Sequence, residues 1–255
     1  MIQEKVKIPS GKNRLAAVVE RDEKVKSEKL AILLPGYLDT KDYTHLVKLA
    51  GELVKQGYTT VRFDPTGTWE SEGNISEYTT TQYLADIKAV VEFMLNRGSY
   101  KKIIIGGHSR GARLAVMYAA RDTKISAVIS IMPSLQSVMD EKLKEAEKSG
   151  FTIHNRDIPG DSGTKTFKVP YSHILDNYKY RVDEDVKRVK VPVLFLAGEL
   201  DKICPPEDVK KVYNNANEPK EYIVIKNIGH DFRHNFSEID AVNGVIIDFI
   251  KKNNL

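Results

Sequence analysis

The sequence predicts an α/β domain in which a mainly parallel sheet is covered by helices on both faces. Two patterns in its 255 residues point there, and a third feature qualifies them. Short apolar runs alternate with segments of helical periodicity, which implies right-handed crossovers between parallel strands. Several of those runs are continuous rather than alternating, as expected of strands buried on both faces. One interruption, between Met132 and about Lys190, breaks an otherwise regular order.

The chain opens with two alternating segments, Lys5–Ile8 and Leu15–Glu20, which predict an antiparallel entry hairpin or edge strands. Leu30 to Leu34 is wholly apolar, too short for a helix, and stopped by Pro35 and Gly36; it predicts a central strand. From Tyr43 to Gln56, Leu46, Val47, Ala50 and Val54 fall at helical spacing, and Gly57 ends the pattern. Tyr58–Phe63 returns to strand composition, and a loop rich in Gly, Ser, Thr and Glu runs from Asp64 to Tyr78. Thr80–Asn96 predicts a helix, with Leu84, Ile87, Val91 and the Met94/Leu95 pair on one stripe. Lys102–Ile105 predicts a strand, Arg110–Ala120 a helix and Ile125–Ile131 a strand. Past the interruption, Val191–Ala197, Pro206–Asn214, Glu221–Ile225 and Phe236–Lys252 repeat strand, helix, strand, helix.

Within the interruption, Leu135, Val138, Met139 and Leu143 predict a short amphipathic helix ending at Gly150. Phe151–Ile153 and Thr166–Val169 alternate with period two across a turn-rich Pro159–Gly163, which predicts a hairpin. A helix and hairpin inserted between two sheet strands read as a cap, residues 134–187, on a core made of 1–133 and 188–255. Long insertions at the carboxyl end of such sheets tend to carry function.

Composition narrows the class. An apolar fraction of 41% and a charged fraction of 29% are ordinary for a globular protein. The first ten residues lack an apolar h-region, and no apolar run approaches the ~18 residues of a membrane span. Cys204 is the only cysteine, so an internal disulfide is excluded and a cytoplasmic location is expected. The formal charge of +4 invites a nucleic-acid reading. The lysines, however, interleave with acids, as from Asp140 to Lys148, and that pattern reads as a solvated helix face. No run of His, Cys and acids has metal-ligand spacing, so neither metal nor cofactor is expected.

The strand Lys102–Ile105 leads into Gly107, Ser109 and Gly111, a G-x-S-x-G pattern, with a helix directly behind it. That context is what a nucleophile elbow needs, because glycines two residues either side relieve contacts a side chain would make with neighbouring backbone. Ser109 would then stand over a helix N-terminus whose dipole favours developing negative charge. The bland alternative makes Ser109 an N-cap. Partners downstream decide for the nucleophile. A serine hydroxyl needs a histidine to take its proton, and the imidazolium needs an oriented carboxylate, in the order Ser, acid, His for this arrangement. Asp201 lies just past the carboxyl end of Val191–Ala197, and His230 in the loop after Glu221–Ile225, both where ligands bind in open α/β sheets. Glu199 comes two residues early and Asp208 is already helical. Of the other histidines, His108 should point away from Ser109, His45 is helical, His154 and His173 lie in the insertion, and His234 falls four residues later.

With these residues in place, nearly the whole chain resembles the α/β-hydrolase superfamily. It is most similar to small capped esterases of the cinnamoyl/feruloyl-esterase and monoacylglycerol-lipase-like groups. Their H-G-x turn corresponds to Leu34 to Tyr37 here, and their D-x-x-G-x-G-x-S-x-G loop to Asp64 to Gly73. The resemblance implies an oxyanion hole built from the backbone N–H groups of Tyr37 and Arg110. It implies a small-molecule ester of a small or medium acyl group as substrate, cleaved through an acyl-enzyme; a peptidase or thioesterase using the same residues, or a non-catalytic ligand-binding protein on this fold, are the other readings. Three positions depart from the pattern. Pro35 replaces the usual histidine of the oxyanion loop. Trp69 replaces a glycine, so it either closes part of the substrate pocket or packs under its loop. Arg110 follows the nucleophile where smaller or neutral residues are commoner; an ion pair with a nearby acid is expected, a substrate carboxylate being the other reading.

Overall fold

The computed structural model describes residues 1–135 and 146–255. β1 (Ile2–Ser10) and β2 (Asn13–Arg21) form the antiparallel entry hairpin, paired in register from Ile2↔Arg21 to Ser10↔Asn13. Both strands exceed the predicted segments, because ladder hydrogen bonds extend through β1 even where its alternate side chains are charged and face solvent. β2 pairs antiparallel with β4 (Tyr58–Phe63). From there β3 (Lys29–Leu34), β5 (Lys102–His108), β6 (Ala127–Ile131), β9 (Val193–Gly198) and β10 (Lys220–Ile225) continue the sheet in parallel.

The eight strands run in the order β1-β2-β4-β3-β5-β6-β9-β10. The chain moves one way from β3 to β4, then crosses back to β5. A crevice therefore opens outside the carboxyl ends of β3 and β5, the position where open α/β sheets bind ligands.

Period-two alternation sends each strand's side chains to two separate cores. Leu30, Ile32 and Leu34 of β3 join one with α2 (Thr80–Arg97), α3 (Arg110–Ala119) and α6 (Pro206–Asn215). Ala31 and Leu33 join the other, against α1 (Thr44–Lys55) and α7 (Phe236–Lys252). β3 is buried throughout except for its first residue, which accounts for its continuous apolar run. β5 reaches three residues beyond its predicted end. Gly106 and Gly107 are poor strand formers in isolation, yet they pair with Ile129 and Ser130 because the neighbouring strands approach too closely for anything larger. A Cβ on Gly106 would stand 2.8 Å from the Cβ of Ile129.

In the interruption, β7 (Phe151–Asp157) and β8 (Thr164–Pro170) form the predicted hairpin, extended at both ends and separate from the main sheet. Two short helices follow, α4 (Ser172–Asn177) and α5 (Val182–Asp185), too brief for sequence periodicity to reveal. The helix predicted across Leu135 to Leu143 falls mostly on residues 136–145, outside the described residues. The inserted elements touch the loops after β3 and β4. Arg156 Nη2 donates to the Tyr37 carbonyl at 2.6 Å, Lys165 Nζ to the Trp69 carbonyl at 3.0 Å, and Tyr43 Oη to the Asp157 carbonyl at 3.0 Å.

Candidate active site

Ser109 occupies the turn between β5 and α3 with φ 54° and ψ −114°, a left-handed conformation that costs an L-residue on the order of 1–3 kcal/mol. Close packing enforces it. A Cβ on Gly107 would meet the Leu34 carbonyl oxygen at 2.4 Å, and one on Gly111 would meet the same atom at 2.3 Å. The two glycines are thus required by the passage of β3 beneath the turn. Ser109 makes no side-chain cap for α3, which removes the N-cap alternative.

Its hydroxyl instead lies 3.0 Å from Nε2 of His230, whose Nδ1 lies 2.7 Å from Oδ2 of Asp201. Asp201 stands at the carboxyl end of β9 and His230 in the loop after β10, so adjacent parallel strands deliver both to one rim. The carboxylate is buried, and its other oxygen accepts the N–H groups of Ile203 and Cys204, each at 2.8 Å. Burial alone would raise its pKa, but the His230 bond and those N–H donors hold it below the usual carboxylate range. The competing acids are engaged elsewhere: Glu199 accepts the Asn227 N–H and Asp208 pairs with Lys211. His234 is exposed.

His108 is buried behind this line, its ring 4.6 Å from that of His230 and its Nδ1 4.0 Å from Asp39. His45 packs edge-on against it. Although sequence spacing shows no metal motif, the fold gathers two sets of donor atoms within 4.8 Å: Asp39 with His45 and His108, and Asp201 with Cys204 and His230. The second shares two residues with the line to Ser109.

The loop after β3 carries the Tyr37 N–H. Neither that group nor the Arg110 N–H donates to another backbone group among the described residues. Three aromatic side chains support the loop where the resemblance led us to look for a histidine. Tyr83 donates to the Pro35 carbonyl at 2.9 Å, Tyr78 Oη accepts the Leu38 N–H at 3.0 Å, and Trp69 Nε1 donates to the Leu38 carbonyl at 2.9 Å. Trp69 has φ 43°, the conformation a glycine would favour, and its ring contacts Tyr43 and Phe167. These contacts tie Trp69 both to its own side of the fold, at Tyr43, and to the inserted hairpin, at Phe167. Beneath the loop, the buried Asp64 accepts Thr40 Oγ1, the Lys41 N–H and Lys41 Nζ.

The expected ion pair of Arg110 is not formed among the described residues. Its buried guanidinium lies 4.2 Å from the Tyr78 ring centroid and reaches only the Thr80 hydroxyl, at 3.4 Å. No acid lies within ion-pair distance among the described residues, since the face of α3 it lies on meets tyrosines rather than carboxylates. Arg113, one turn later and equally buried, went unnoticed in the sequence; a second arginine at i+3 on an apolar helix was the available signal.

Residues 31–157 match the family model of the alpha/beta hydrolase fold. The chain belongs to the α/β-hydrolase superfamily. Among curated proteins, this chain is 29% identical over 198 residues to lysophosphatidylserine lipase ABHD12 of Danio rerio, covering 76% of the chain and 49% of that protein. It therefore spans about half the length of those relatives. It is 24% identical to mouse palmitoyl-protein thioesterase ABHD10, mitochondrial, over 87% of the chain and 75% of that protein. Among solved structures, Est1E of Butyrivibrio proteoclasticus with bound ferulic acid superposes with a TM-score of 0.77 at 22% identity, covering 96% of this chain and 99% of that one. Mouse ABHD10 gives 0.76 at 23%, covering 98% and 99%. Both structural likenesses speak to the hydrolase fold. No helix among the described residues is long and apolar enough to cross a membrane.

Proposed function

We propose that this hydrolase is a serine esterase acting on small-molecule carboxylic esters through an acyl-enzyme. The observation that carries the reading is the unbroken line Ser109 Oγ–His230 Nε2–Asp201 at 3.0 and 2.7 Å. His230 takes the hydroxyl proton as Ser109 Oγ bonds to the ester carbonyl carbon, and Asp201 stabilises the resulting imidazolium. The tetrahedral oxyanion is held by the Tyr37 and Arg110 N–H groups, with the α3 N-terminus behind them. His230 returns the proton to the departing alcohol. Water then attacks the acyl-enzyme, giving its proton to His230, and the acid and free Ser109 are restored. Residues 134–187 act as the cap: Arg156 of the hairpin donates to the Tyr37 carbonyl, and His173 of α4 packs against the Tyr37 ring.

The likeness to a palmitoyl-protein thioesterase favours thioesters as the second substrate class for the same residues. A fluorophosphonate probe tests the nucleophile: wild type should label and Ser109→Ala should not. An unlabelled wild type, folded by circular dichroism, would leave a ligand-binding protein instead. An ester, a thioester and an amide of one acyl group would then rank the bonds it cleaves.

A further inference from the structure

Arg110 and Arg113 are each 3% exposed and one helical turn apart on α3, directly behind Ser109. Neither has a carboxylate within ion-pair distance among the described residues. Arg110 Nε and Nη1 and Arg113 Nε have no hydrogen-bond acceptor. The polar side chains that do touch the pair are neutral: Thr80 for Arg110 and Asn177 for Arg113. The nearest acid on α4, Asp176, is bound by Thr81 and Lys179. Stacking of Arg110 on Tyr78 offsets part of its desolvation, but Arg113 stacks on no ring. Burial, then the neighbouring Arg110, pushes Arg113 down to about 9, still above neutral pH. Two like charges taken out of water with no counter-ion among the described residues are costly to fold, and a matching anion removes that cost.

We infer that Arg110 and Arg113 form a binding site for an anionic group, carboxylate or phosphate, on the acyl or alcohol part of the substrate. The inference rests on the esterase reading and names the substrate class for that site. Its placement follows from α3: the Arg113 N–H donates to the Ser109 carbonyl at 3.1 Å. Burial raises the Cys204 thiol, while the Arg113 charge and the Ser109 hydroxyl act to lower it. Asn177, on α4, closes over Arg113, and Thr80 bonds the same Asn177 at 3.0 Å, so an entering anion would replace Asn177 as the acceptor for Arg113. A planar guanidinium takes carboxylate or phosphate oxygens in pairs, which a lone lysine would not.

Matched aryl esters test the inference: butyrate, the glutarate monoester and a phosphonate-bearing analogue of the same length. In wild type, kcat/KM for one of the anionic esters should exceed that for butyrate by roughly 10- to 100-fold. In Arg113→Met that ratio should collapse toward one, and Arg113→Lys should recover only part of it. The better anionic arm identifies carboxylate or phosphate as the natural group. No charge preference in wild type, or a ratio unchanged in Arg113→Met, overturns the inference. Melting of Ser109→Ala with inorganic phosphate or succinate reads the anion site without turnover. Stabilisation there, absent in the Ser109→Ala/Arg113→Met double variant, supports the site even if no ester is cleaved. No stabilisation by either anion counts against the site even if esters are cleaved. Fluorophosphonate labelling of Arg113→Met confirms that its elbow is intact before the ratio is read.

Discussion

At the scale of single residues, orientation carries more than identity. Asp201 is aimed by two backbone N–H donors, so its free oxygen meets His230 without a rotamer search. Asp201→Asn keeps the shape but favours the imidazole tautomer with its proton toward Ser109. We expect kcat to fall by roughly 10³- to 10⁴-fold with little change in KM. A fall in KM alone would place Asp201 outside the proton line. The depressed pKa of this carboxylate also stabilises the fold above the ordinary carboxylate range, an increment lost as pH falls through the folded value. Ser109, Asp201 and His230 were legible in the sequence because strand ends and chain order leave few positions for them. The state of Arg110 was not. Whether a buried cation finds an acid depends on which helix face lies opposite, and here that face offers Tyr78 and Tyr83.

Among elements, the turn carrying Ser109 and the loop after β3 are fixed by contact. Gly111→Ala would put a methyl group 2.3 Å from the Leu34 carbonyl oxygen and 2.7 Å from that of Pro35, both backbone atoms. The expected result is loss of at least ~3 kcal/mol of stability by chemical unfolding, along with fluorophosphonate labelling. Gly51→Ala in α1 has nothing within 4 Å of the new methyl and should stabilise slightly. Equal effects at the two positions would refute the steric account. Parallel strands marked by an unbroken apolar run were read closely, as in β3, whereas β5 was cut short where its glycines begin. β1 was shortened in the reading because its length is set by pairing with β2 rather than by apolar content. α4 and α5 escaped it because four to six residues complete too few turns to show a period.

The whole molecule keeps buried histidines neutral. Burial first, then neighbouring positive groups, pushes His45 and His173 down to about 3. In the unfolded chain both would titrate near about 6.5. As pH falls below that value the unfolded state takes up protons the folded state refuses, so stability declines until the folded value is reached. At pH 5 each should cost about 2 kcal/mol relative to neutral pH. Urea midpoints at pH 7 and 5 would measure the loss. His45→Phe, which keeps a ring against Phe232, should remove about half of the decline attributable to the two; an unchanged decline would place it elsewhere. The close approach of Gly107 and Gly111 to one carbonyl of β3 also bears on how the protein fails. Because the hydroxyl's turn packs against the end of β3, which pairs with β5 along its length, neither the turn nor the loop after β3 can drift without carrying the other. Heat inactivation should therefore proceed with no intermediate that still reacts with a covalent probe yet has lost turnover.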